Sequence, residues 1–285
     1  MKQITILLSL VLLGACSNEG IEQVQLKEPL QLNVTAGSYM ADGTPDTRAM
    51  DNGNETTFEA GDRIGIIAIL GTTLVHNNIP YIYDGSAWVF DENSGESNKS
   101  VCYYDNQTTY IIYYPYSAAA NDAMSEDDIK KVIVPRTDQQ SYDDYRASDL
   151  MVWTSTGASP QKLNVQLKHA YPSVSLHPQI HYEFDYGENE KSCFCVSALD
   201  VTFVKGASIY HPYQADDGSF RYILPAEGWQ NSTLRCFYTW QDKTYCKEIT
   251  IPKHYKQIPD ITIPHRQSLL GAIASLKWQW AITIV

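Results

Sequence analysis

Metal binding, covalent catalysis and proton transfer rest mainly on cysteine, histidine and carboxylates, and this 285-residue chain has 6 Cys, 7 His and 33 Asp plus Glu. Their spacing assembles no site. There is no C-x-x-C pair, and Cys102, Cys193, Cys195, Cys236 and Cys246 lie apart from the scattered histidines, so a zinc centre is not expected. His177 and His181 have the i, i+4 spacing of two helix-borne ligands, but Pro178 and the strand-like surroundings deny them a helix. Carboxylate pairs could serve glycoside hydrolysis only if they faced each other across a cleft, and solvated surface acids are the simpler reading. G-x-S-x-G, G-x-x-x-x-G-K-S/T and G-x-G-x-x-G are all absent. The sequence therefore predicts no catalytic residue, no metal and no cofactor. A formal charge of −12, with 21 Lys plus Arg, would repel phosphates and excludes nucleic acid as a partner.

One cysteine stands apart. Met1-Lys2 precedes an apolar run from Ile4 to Leu13, too short to span a bilayer, and then Leu13-Gly14-Ala15-Cys16. The last four residues resemble a bacterial lipobox, which implies a signal peptide over 1–15 and lipid on Cys16, fixing the chain to a membrane surface. Export leaves five further cysteines, an odd number, so at least one thiol stays unpaired within the monomer. Cys236 and Cys246 flank a turn near Gln241-Asp242, which leaves room for a cross-strand disulfide, unpaired thiols being the alternative.

The elements that would position these residues read as strands. Aromatic residues make up 12% of the chain, and short β-rich runs recur with turns between them from Phe58 onward. Tyr81-Ile82-Tyr83 and Trp88-Val89-Phe90 bracket Asp84-Gly85, a strong hairpin signal. Only Ser125 to Lys131 reads as a helical turn, with Ser125 as N-cap ahead of three acids. The fold class is therefore all-β, and the length suits two β-sandwich domains in tandem. The expected divisions are a lipidated segment 16–57 with one short strand, an N-terminal sandwich 58–178 and a C-terminal sandwich 179–285.

The ordered motifs resemble the Bacteroidales fimbrillin-like proteins, the type V pilins. They are the lipobox, Thr47-Arg48-Ala49, Phe58-Glu59-Ala60-Gly61-Asp62-Arg63-Ile64-Gly65-Ile66, Tyr83 to Trp88, Tyr113-Tyr114-Pro115-Tyr116-Ser117, Asp149-Leu150-Met151, Val165 to Leu167 with His169-Ala170, and Tyr222 to Ala226. The resemblance implies transthyretin-like (Greek-key) sandwiches, and an outer-membrane lipoprotein that moves into a cell-surface fimbrium. It also implies trimming by an arginine-specific protease, loss of the first strand, and donor-strand exchange with other fimbrial subunits. Carried onto this sequence, cleavage falls between Arg48 and Ala49, and the strand lost lies near Leu26 to Val34.

The C-terminus departs from that pattern. Trp278, Trp280, Ile282 and Ile284 would line one face of an apolar terminal strand, which could donate to a neighbour or finish its own domain. A different class of function also fits the residues: a non-polymerising surface lipoprotein binding glycans through aromatic residues such as Trp88 or Trp153.

Overall fold

In a computed structural model the chain is described over residues 29–37, 57–95, 100–104, 106–155, 160–185, 191–197, 199–225, 228–229, 231–240, 243–251, 261–266 and 273–284. The strands within 177–199 and beyond residue 260 are described by their backbone pairing. Among the described residues the fold is all-β with two short α-helices. Strands β1 (Gln31–Ala36), β2 (Arg63–Leu70), β3 (Thr73–Tyr83), β4 (Trp88–Phe90), β5 (Thr108–Tyr114), β6 (Met151–Thr154) and β7 (Lys162–His169) join in the order β1-β7-β6-β5-β2-β3-β4. Helices α1 (Glu126–Val132) and α2 (Tyr142–Ser148) lie between β5 and β6. The expected 84–85 hairpin forms, with Tyr83 paired to Trp88 and Gly85 at φ 100°.

The second set of strands comprises β8 (Ser173–Asp185), β9 (Lys191–Ser197), β10 (Leu199–Lys205), β11 (Ser208–Tyr210), β12 (Tyr213–Gln214), β13 (Phe220–Ile223), β14 (Thr233–Trp240), β15 (Lys243–Thr250), β16 (Ile261–Arg266) and β17 (Ile273–Ile284). They form a four-stranded sheet β11-β10-β14-β15 and a six-stranded sheet β12-β13-β8-β17-β16, with β9 also paired to β8. Val174, Leu176 and Tyr222 from one sheet meet Phe203, Leu234 and Ile249 from the other in a shared core. The change of sheet falls between His169 and Ser173, so residue 178, the expected end of the first domain, lies inside β8.

Strand β2, Arg-Ile-Gly-Ile-Ile-Ala-Ile-Leu, is buried along nearly its whole length, because both faces of its sheet are covered. Ile64, Ile66 and Ala68 meet Leu163, Val165 and Leu167 of the β1/β7 ladder, which folds over that face. Ile67 and Ile69 meet Ile129 and Ile133 around α1 on the other. Helix α1 starts as expected at Ser125, whose Oγ accepts from Asp128 N–H at 3.2 Å.

Gly65 lets that second face close. A Cβ there would lie 2.3 Å from Cε1 of Tyr113 and 2.6 Å from Oδ1 of Asn78. With no side chain in the way, the Tyr113 ring crosses the strand and its hydroxyl donates to Asn78 Oδ1 at 2.6 Å. Asn78 is fully buried at φ 52°, and its amide donates to Ser117 O and Asn121 Oδ1 at 2.9 and 2.8 Å. Burial pushes the Tyr113 hydroxyl well above the usual tyrosine range.

A buried side chain helps tie the two sets of sheets together. Gln139, with no exposed surface, donates to Ile223 O at 3.0 Å and accepts from Ile223 N–H at 2.9 Å. Its amide thereby takes the place of a strand neighbour for the end of β13. The Tyr222 hydroxyl donates to Arg136 O at 2.8 Å, and the Tyr171 hydroxyl to Ile133 O at 2.7 Å, beside it.

Of the two alternatives open for Cys236 and Cys246, the structure has the unpaired thiols and not the disulfide. The β14–β15 register pairs Trp240 with Lys243, Phe237 with Cys246 and Cys236 with Lys247. The turn centre therefore lies half a residue beyond 241, and the two cysteines occupy opposite faces: Cys236 is buried in the second core and Cys246 is exposed, both as free thiols. Burial pushes both thiols up, Cys236 far more.

Two outcomes are expected. In native protein, Cys246→Ser is expected to remove a thiol that reacts with Ellman's reagent, while Cys236→Ser leaves that reaction unchanged; a reactive thiol absent from wild type and gained in Cys236→Ser would restore the disulfide pairing. Gly65→Ala forces Tyr113 or Asn78 aside, and urea unfolding should show a loss of about 2–3 kcal/mol.

Candidate functional site

Strand β1 coincides with the expected removable first strand. It runs parallel to β7 at the end of the first sheet, with Leu32, Val34 and Ala36 opposite Leu163, Val165 and Leu167. Alternation puts one face inward: Leu30 and Val34 are 6% and 7% exposed, and Leu32 and Ala36 pack partly against the same core. The intervening Gln31, Asn33 and Thr35 face solvent. The strand extends two residues beyond the expected Val34, while residues 26–28 of the expected range lie outside those described.

Both ends of β1 are fastened. At the start, Leu30 N–H donates to Val101 O at 2.9 Å, and Pro29 bridges to Cys102. At the finish, Gly37 N–H donates to Leu167 O at 2.7 Å. The Gly37 carbonyl lies 3.0 Å from His169 Nε2, and His169 Nδ1 lies 2.7 Å from Asp149 Oδ1. The His169 and Asp149 side chains are only 4% and 6% exposed.

Helix α2 positions this end. Asp149 is its C-terminal capping residue, two residues before β6 begins, and His169 is the last residue of β7. The helix is held in turn by Arg146, which pairs with Asp62 and with Glu59 at 3.0 Å, and whose guanidinium lies over the Tyr142 ring at 5.3 Å. Asp62 also accepts from the Tyr114 hydroxyl at 3.3 Å. The Phe58 to Ile66 motif thus docks α2, and Asp149-Leu150-Met151 follows on to the β1 clamp.

Three of the expected site residues, Cys16, Arg48 and Ala49, lie outside the described residues. Trp278, Trp280, Ile282 and Ile284 occupy alternate register positions in β17, opposite Ile180, Pro178, Leu176 and Val174 of β8. β17 is paired along its length to β8 on one side and over Ser275–Trp280 to β16 on the other. Trp88 meets Phe58 edge-on at 5.0 Å and Tyr83 at 5.2 Å, and both Trp88 and Trp153 pack partly against the first core. Gly37 and the functional pairing of His169 with Asp149 were missed from sequence. Two polar residues bounding apolar strands were the available signal.

Comparison with known proteins follows this geometry. Residues 47–183 match the family model described as fimbrillin-like. A protein of Bacteroides ovatus strain ATCC 8483 described as a fimbrium tip subunit is 27% identical over 244 residues, covering 76% of this chain and 44% of that protein. The chain thus spans less than half the length of this relative. The crystal structure of a fimbrial protein from B. ovatus ATCC 8483 superposes with a TM-score of 0.52 at 20% identity, over 78% of this chain and 46% of that one, so the two share a fold. A cell adhesion protein of Bacteroides fragilis NCTC 9343 aligns over 88% of this chain and 97% of its own, with a TM-score of 0.40 and 10% identity. The match over residues 47–183 and the Bacteroides relative support a likeness to the Bacteroidales fimbrillin-like proteins.

Proposed function

We propose that the chain is a non-catalytic subunit of a cell-surface fimbria. On this reading it is exported as an outer-membrane lipoprotein through Cys16, trimmed between Arg48 and Ala49 by an arginine-specific protease, and assembled by donor-strand exchange with other fimbrial subunits. The observation that carries the reading is β1: a parallel edge strand whose alternate side chains fill the first core, and whose connection to β2 contains Arg48. Cutting that connection frees β1 to leave without breaking any other strand of the sheet. Its departure uncovers apolar side chains and unpaired backbone groups on β7, which an incoming strand satisfies together. The tandem sandwiches serve as the rigid body between joints.

The reading assigns β17 to its own sheet rather than to a neighbour. Donation would require it to give up pairing with both β8 and β16, opening the second sandwich through its middle. The chain then receives a strand at β1 and does not donate β17. A place at the fimbrial end suits a receiving subunit, and the B. ovatus relative is described as a tip subunit.

In fimbriated Bacteroidales cells, wild-type protein is expected in sheared fimbriae with Ala49 as its N-terminus, in species that resist SDS until heated. Arg48→Ala is expected to remain a folded, membrane-bound precursor. Equal incorporation of Arg48→Ala into sheared fimbriae, read by immunoblot, would defeat the trimming step.

A further inference from the structure

We propose that the groove occupied by β1 accepts only strands that carry glycine at the position of Gly37, and that this glycine sets the register of the incoming strand. The inference rests on the strand-exchange reading above and adds a rule for the chemistry of the donor: four apolar residues at alternate positions, then glycine.

Gly37 is buried, and a Cβ on it would lie 2.7 Å from the carbonyl oxygen of Leu167. Its backbone is not in the left-handed region, so space rather than conformation demands glycine here. The obstructing atom belongs to the backbone of β7, which is held between β1 and β6 and cannot swing away as a side-chain tip would. That same oxygen accepts the Gly37 N–H at 2.7 Å, so moving the strand outward to relieve the clash would lengthen a hydrogen bond. The Gly37 carbonyl is read on its other side by His169, which Asp149 holds in place.

Alternation alone leaves register ambiguous. A slip of one residue turns Leu30, Leu32, Val34 and Ala36 to solvent, and burial forbids it. A slip of two keeps most of the apolar face inward, though one direction also brings Glu28 to the Leu30 position, and it is opposed in both directions by what then reaches the Gly37 position. In this chain that residue would be Thr35 or Tyr39, each bearing a Cβ. The glycine therefore removes the slips that hydrophobic patterning permits. Strand β17, Ile-Ala-Ser-Leu-Lys-Trp-Gln-Trp-Ala-Ile-Thr-Ile, contains no glycine, so the rule excludes it as a donor to a second copy. The occupant is a strand of a different subunit.

The test uses full chain cleaved after Arg48 and a fluorescein-labelled peptide of residues 29–38, Pro-Leu-Gln-Leu-Asn-Val-Thr-Ala-Gly-Ser, beside the same peptide with alanine at its ninth position. Fluorescence anisotropy should give at least about tenfold tighter binding for the glycine peptide. Equal affinities would overturn the proposal. If neither peptide binds, hydrogen exchange in the uncleaved chain decides. Exchange of the β1 amides about tenfold faster in Gly37→Ala than in wild type upholds the glycine rule for β1 itself, and strand exchange is then the reading that fails. Unchanged exchange in that variant overturns the rule.

Discussion

The first set of strands depends on a strand that, among the described residues, has one ladder partner. β1 pairs in parallel with β7, and it and the preceding residue supply Val34 and Leu30 to a core shared with β2, β3, β5, β6, β7 and Val101. A core that takes side chains from an edge strand is complete only while that strand is docked. Each fully buried Leu or Val contributes about 1.5–3 kcal/mol, while ordering each residue costs about 1–2 kcal/mol. The apolar face of so short a strand does not outweigh its own ordering, so the hydrogen bonds along it and at its two ends decide whether it stays. This is why the contacts of Leu30, Gly37 and His169 matter more than their number suggests.

The polar and glycine positions of the sequence motifs follow from the same sheet. Gly65 is small because Tyr113 lies across it, and Tyr113 lies there because Asn78 accepts its hydroxyl. Asp62 is acidic because Arg146 reaches back from α2 to meet it. Residues far apart in the chain are thus bound into one arrangement: the turn at Gly61 docks α2, α2 presents Asp149, and Asp149 holds His169 against the end of β1.

Much of this was legible in the sequence. Period-two alternation marked Leu30, Leu32 and Val34 as a strand with one buried face, and Asp84-Gly85 marked its hairpin, because both signals are local. Helix α2 was missed although Ser141 caps it as Ser125 caps α1; seven residues rich in Tyr and Asp carry no apolar periodicity. The Cys236–Cys246 pairing failed for a subtler reason. A hairpin register depends on whether its turn centres on a residue or between two, and that half-residue difference moves a side chain to the opposite face. The clamp on Gly37 was beyond reach, since it joins residues 37, 149 and 169 through tertiary geometry that no local pattern encodes.

The junction between the two sandwiches bears on how such a subunit would carry load. Gln139 satisfies both backbone groups of Ile223 from within a buried setting, and Tyr222 and Tyr171 donate to carbonyls of the same connecting stretch. Leaving such groups unpaired in a dry interior costs about 1–3 kcal/mol each, so the sandwiches cannot hinge apart without exposing them to water or stranding them. A strand seated along β7 meets axial force differently. Pulling along a parallel ladder loads its hydrogen bonds together in shear, whereas peeling from one end breaks them in turn. Fastening at both Leu30 and Gly37 opposes peeling from either end. On the proposed reading, the same end contacts that fix the register of an incoming strand also make the finished joint resist the mode of failure to which an edge strand is most exposed.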